Sequence, residues 1–160
     1  MNENSPKSAK ENLRSKLERK KAQLSDRDSH ILSGKHVLFA EDDKTNAHLM
    51  MRLLSAKGIK ADYAKDGETA MNMFAESAEH YYDAVILDIH MPHVNGHEAA
   101  LAIRHMGRSD SRSIPIIAVT AFEGDEEKEL SDDVGVSVHL NKPIDPDALY
   151  STLEQLLPRS

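Results

Sequence analysis

A chain of 160 residues has room for one domain with a sizeable core plus a tail, and 27 Asp/Glu against 20 Lys/Arg leave a net charge of −7. With no cysteine it has neither disulfides nor thiolate chemistry, which fits a reducing compartment, so a cytoplasmic location is expected. No run of about 18 apolar residues exists to cross a bilayer, and the start, Met1-Asn2-Glu3-Asn4-Ser5-Pro6-Lys7, lacks the apolar stretch of a secretory signal.

The charge is unevenly placed. Residues 1–36 hold nine Lys/Arg and five Asp/Glu, a net +4, whereas residues 37–160 hold eleven and twenty-two, a net −11. So acidic a body is a poor match for a phosphate backbone, and nucleic acid is not the expected partner. Residues 1–34, between Ser5-Pro6 and Ser33-Gly34, read as a basic helical extension or linker. Its main apolar positions are Leu13, Leu17, Leu24 and Ile31, the last three seven apart as on one stripe of a helix. The stripe is thin, because a coiled coil needs three or four heptads with two apolar positions in each.

From Lys35 the pattern alternates. A strand over 36–40 precedes a helix over about 44–57, which Gly58 stops. Ile59, Ala61 and Tyr63 alternate as a second strand, and Asp66-Gly67 opens a helix to about Ala78. The third strand is 84–88, with a helix from about Gly96 to Met106; Ile114-Pro115 begins the fourth strand. An acidic helix follows over about 124–134, then a fifth strand over about 136–140. Asp145-Pro146 starts the last helix with a cap and a first-turn proline, and Leu149, Leu153 and Leu156 give it an apolar face.

Strands alternating with helices predict an α/β, doubly wound, five-stranded parallel sheet. The very apolar first, third and fourth strands belong in the middle and the alternating second at an edge. The flavodoxin-like order 2-1-3-4-5 meets both conditions and puts the switch point between strands one and three. Four strands carry chemistry at their C-terminal ends: Glu41-Asp42-Asp43, Asp88, Thr120-Ala121 and Lys142-Pro143. Carboxylates, a lysine and a hydroxyl brought together suit a divalent cation and a phosphoryl group.

These motifs, in register with Met91-Pro92 and Gly96 after Asp88, give residues 35–158 a resemblance to the receiver domains of two-component response regulators. The domain is accordingly expected over 35–160. The resemblance implies that Asp88 takes a phosphoryl group from a histidine kinase or histidine phosphotransfer protein, with Mg²⁺ as cofactor. Crowded carboxylates repel one another and a hard cation relieves this. Asp42 and Asp88 are the candidate direct ligands, with Glu41 acting through water; the family adds the backbone carbonyl of His90. Asp43, one past the acidic pair, is read as a helix cap. As nucleophile, Asp88 forms an aspartyl phosphate, and positioning and charge neutralisation matter more than a base. Lys142 supplies positive charge. The Thr120 hydroxyl and the N–H groups of His90 and Ala121 receive the phosphoryl oxygens. The family further implies a cis Lys142-Pro143 bond and places a switch residue at His139, coupled to Thr120. His139 and Asn46 both suit the receivers of hybrid histidine kinases.

His90, His93, His97 and His105 are read as solvent-facing rather than as a zinc site. The acidic run Glu123 to Asp133 reads as a solvated face bordering a partner surface over 123–157. Only Arg159-Ser160 follow Pro158 in this sequence, and 1–34 is too short for a DNA-binding fold, so the expected output is protein contact. The chain reads either as a free-standing receiver or as the receiver cut from a hybrid kinase. The competing reading is a Mg²⁺-dependent phosphohydrolase of aspartyl-phosphate type, but haloacid-dehalogenase-type phosphatases need an aspartate where this chain has His90. A flavin carrier is opposed by the lack of a Ser/Thr/Gly-rich loop after the first strand.

Overall fold

The computed structural model describes residues 6–121 and 124–157, with side chains of the first helix described at 9–20, 31 and 32. The predicted positions Ser5, Leu24, Glu123 and Pro158 fall outside these. The chain runs α1 (Pro6–Leu32), β1 (His36–Ala40), α2 (Lys44–Ala56), β2 (Lys60–Ala64), α3 (Gly67–Glu76), β3 (Ala84–Asp88), α4 (Gly96–Arg104), β4 (Ile116–Thr120), α5 (Asp125–Val134), β5 (Val138–Asn141), α6 (Pro146–Leu156). The five strands are parallel and lie in the order β2-β1-β3-β4-β5, as predicted.

The order follows from composition. Every residue of β3 and β4 is buried, as are four of the five in β1, so these strands need helices on both faces. On one face α3, α4 and α5 pack through Phe74, Ala99, Ala100, Ile103 and Val134. On the other, α2, α6 and the end of α1 pack through Met50, Leu54, Leu149, Leu153 and Leu32. Side-chain caps set the helix starts. Asp43 accepts from Asn46 N, Asp66 from Thr69 N and Asp145 from Asp147 N, and Asn95 forms a capping box with Glu98.

The extension divides in two. Leu13 and Leu17 are 59% and 55% exposed, so the apolar stripe is solvent-facing there. The last turn differs: Ile31 is half-buried and Leu32 is fully buried against the β1–α6 core. Burying one leucine is worth about 2 kcal/mol, enough to tie the helix end to the body. No helix among the described residues is long and apolar enough to cross a membrane.

Candidate functional site

Register brings the strand ends together. Asp88 pairs with Val119 in the β3–β4 ladder, and Thr120 pairs with Asn141 in the β4–β5 ladder. Lys142 N donates to Thr120 O at 2.8 Å, and Ile89 N to Val119 O at 2.9 Å, fixing the loops as they leave the sheet. Gly96 is required here: a Cβ would collide with the Asp88 carbonyl and the Ile89 backbone, so any side chain would push α4 off the strand that carries Asp88.

The side chains meet at close range. Lys142 Nζ lies 3.0 Å from Asp88 Oδ2 and 3.1 Å from Glu41 Oε2. Asp88 Oδ1 accepts from His90 N at 3.2 Å, and Glu41 Oε1 from Asp43 N at 3.2 Å. Glu41 and Asp88 are each 2% exposed, whereas Asp42 faces solvent. Carboxylate oxygens of Glu41, Asp42 and Asp88 fall within 4.8 Å of one another. Burial, and then the Asp88 charge, push Glu41 up to about 7 despite its bonds to Lys142 and Asp43. Burial opposes the charge on Lys142, but the two carboxylates outweigh it and its pKa is raised. One ammonium among three carboxylates leaves the pocket short of positive charge. All the donors are hard oxygens, so a divalent cation such as Mg²⁺ fits this set.

Thr120 is 2% exposed, and its hydroxyl donates to Glu127 Oε2 at 3.2 Å. The other Glu127 oxygen lies 3.0 Å from His90 Nε2. His139 lines the cavity that holds Thr120 and Glu127, and its Nε2 is buried without a hydrogen-bond partner. The bond from His139 towards Thr120 is therefore not made in this state. Lys142-Pro143 is cis.

A family model described as "Response regulator receiver domain" matches residues 37–154. The chain belongs to this receiver family. It is 41% identical over 121 residues to hybrid signal transduction histidine kinase I of Dictyostelium discoideum, covering 73% of this receiver but 7% of the kinase. It is 31% identical over 125 residues to the polar-differentiation response regulator DivK of Brucella ovis, covering 77% of this chain and 96% of DivK. The receiver domain of a Pseudomonas aeruginosa sensor histidine kinase, with magnesium coordinated in its active-site cleft, superposes with a TM-score of 0.69 at 27% identity, over 78% of this chain and 98% of that one. The receiver is thus a module of two-component phosphorelay signalling.

Two sequence readings need correction. His97 is not solvent-facing: it is 5% exposed on the first turn of α4, and its Nε2 shares a short hydrogen bond with Ser131 Oγ of α5. Burial lowers its pKa. Nor is the acidic helix a purely solvated face, because Glu127 turns inward onto Thr120 and His90. The signal was present in the spacing: Glu127, Ser131 and Val134 fall at i, i+4 and i+7, and the last two are the buried residues of α5. Tyr63 was also missed; its hydroxyl donates to Glu41 O at 2.6 Å and steadies the acidic loop. His93 and His105 are exposed, as expected.

Proposed function

We propose that the receiver accepts a phosphoryl group on Asp88 from the phosphohistidine of a histidine kinase or histidine phosphotransfer protein. The observation that carries this is Lys142 Nζ, reaching past the end of β4 to lie 3.0 Å from Asp88 Oδ2, beside two further carboxylates. A carboxylate oxygen of Asp88 attacks phosphorus in line, an O–P bond forms, and the P–N bond breaks with its electron pair returning to the imidazole. Lys142 stays protonated throughout and offsets charge on the transferred oxygens. The His90 N–H, the Ala121 N–H and the Thr120 hydroxyl are the donors for the remaining oxygens. Glu41, Asp42, Asp88 and the His90 carbonyl would hold Mg²⁺, and its chemistry is to neutralise charge on the carboxylates and the phosphoryl group.

In this reading residues 35–160 are the receiver and 1–34 its basic extension. The protein works in the cytoplasm, catalyses only its own phosphorylation and slow dephosphorylation, and signals by protein contact at the 123–157 face. Phosphate on Asp88 draws Thr120 inward and lets His139 reorient. The phosphohydrolase reading is disfavoured by His90, whose ring is held by Glu127 and supplies no second carboxylate. The test is labelling by acetyl phosphate. Asp88→Asn should abolish it and Asp43→Asn should leave part of it; normal labelling of the Asp88 variant overturns the assignment. Repeated turnover of a small phosphoester would favour the hydrolase instead.

A further inference from the structure

Glu127 engages a donor that the proposed product would need. Its two oxygens span the Thr120 hydroxyl at 3.2 Å and the His90 ring at 3.0 Å, and its side chain is only 16% exposed. The Thr120 hydroxyl has one proton to give. A phosphoryl group on Asp88 needs that proton, and Glu127 is already using it. Both acceptors are anionic, the phosphoryl group carrying about −1.5 to −2, so they cannot share the donor at close range. His90, two residues after Asp88 and donor of the N–H that Asp88 Oδ1 accepts, is the other end of the Glu127 bridge, so the carboxylate ties the loop after β3 to the end of β4. The first turn of α5 that carries Glu127 begins at Gly124 with no side-chain cap. Without that cap the turn has one bond fewer to resist displacement.

We propose that Glu127 is an anionic latch on Thr120. In the unmodified receiver it holds the first turn of α5 against the ends of β3 and β4. When Asp88 is phosphorylated the hydroxyl passes to the phosphoryl oxygen, Glu127 is expelled, and that turn of α5 moves with the modification. The latch therefore opposes phosphorylation by the worth of one charge-assisted hydrogen bond, and the same displacement is the output. His139 borders the vacated cavity, and its buried Nε2 lacks a partner until the cavity rearranges. This inference rests on Asp88 being the phosphoacceptor.

The experiment titrates the full chain with beryllofluoride in the presence of Mg²⁺, followed by backbone NMR. Glu127→Ala should lower the half-saturating beryllofluoride concentration roughly tenfold, with Glu127→Gln intermediate because it keeps an acceptor but loses the charge. Glu129→Gln removes an equal charge from an exposed position on the same helix and should leave half-saturation within about twofold of the wild type. In a Thr120→Val background the Glu127→Ala gain should disappear, because no hydroxyl remains to contest. Amides of Gly124 to Lys128 should shift on binding in the wild type and start already displaced in Glu127→Ala. A Glu127→Ala protein that binds no better than wild type overturns the latch, as does a gain that survives Thr120→Val. Acetyl phosphate labelling of the wild type and Asp88→Asn in parallel separates the two readings: unlabelled wild type sinks the phosphoacceptor assignment itself, whereas a labelled wild type with an inert Glu127 sinks only the latch.

Discussion

At the N-terminal edge of the sheet Arg108 donates to the carbonyl oxygens of Phe74, Ser77 and Ala78 and to both oxygens of Asp110. Beside it Arg104 donates to Gly135, Ser111 and Ile114 carbonyls. Burial alone would raise Asp110, but the Arg108 guanidinium and the His80 N–H hold it below the usual carboxylate range. At the C-terminal edge Glu41 and Asp88 instead share a single lysine, and Glu41 is pushed up to about 7. Both clusters are substantially buried, so burial does not separate them; the ratio of donors to acceptors does. A polar network with every group partnered fastens loops to the core. One with surplus acceptors is costly as it stands and favourable towards whatever cation or oxyanion completes the arrangement.

The two networks should respond to mutation with opposite signs. Arg108→Ala strands Asp110 and several carbonyls, and should cost about 3 kcal/mol in urea unfolding, while the folded fraction still takes label from acetyl phosphate. A loss below roughly 0.5 kcal/mol would mean that the N-terminal cluster is ornamental. At the other edge completion should stabilise. Mg²⁺ should raise the melting temperature, by about 2.7 kcal/mol of stability when metal stands a hundredfold above its Kd, and Asp42→Ala should blunt that response. Identical melting curves in chelator and millimolar Mg²⁺ would remove the contrast between the edges.

Deleting a charge from the surplus cluster should help rather than harm. In chelator, Asp88→Asn should stabilise the fold by on the order of 1 kcal/mol, because Glu41 loses its like-charged neighbour and Lys142 keeps an acceptor. A destabilised variant would show that Lys142 already balances the site. The smallest effect concerns His97, buried between α4 and α5. Its folded pKa lies below the unfolded value of 6.5 because burial disfavours the charged ring. Above pH 6.5 the ring is neutral in both states and stability is full. As pH falls below that value the unfolded chain binds the proton first, so stability declines until the pH passes the folded pKa. His97→Gln should flatten this part of the stability–pH curve; an unchanged slope would assign it to other groups.

Much of the fold was legible because β1, β3 and β4 each carry an unbroken run of four apolar residues, the pattern expected of strands covered on both faces. The strand-end chemistry was legible for a related reason: a parallel sheet collects the ends of its strands without detailed packing. The boundaries were less so. Val136 reads as strand, yet its N–H closes the end of α5 on Ser131 O at 2.9 Å after the left-handed Gly135, so β5 begins at Val138. His97 and Glu127 were missed because each acts on a residue distant in the chain, His97 across the α4–α5 interface and Glu127 from α5 onto the ends of β3 and β4. A residue among seven acids looks like solvent-facing decoration until the packing of α5 against the strand ends is known.

The burial of Leu32 bears on how this module can be exchanged between proteins. A recombination joint at Gly34, where the sequence shows its clearest break, would cut the last turn of α1 away and leave Leu149, Leu153 and Leu157 without a neighbour in their cluster. A transplanted receiver should carry Ile31 and Leu32 with it, and the seam that a host protein can vary freely lies upstream, among the exposed turns around Leu13 and Leu17.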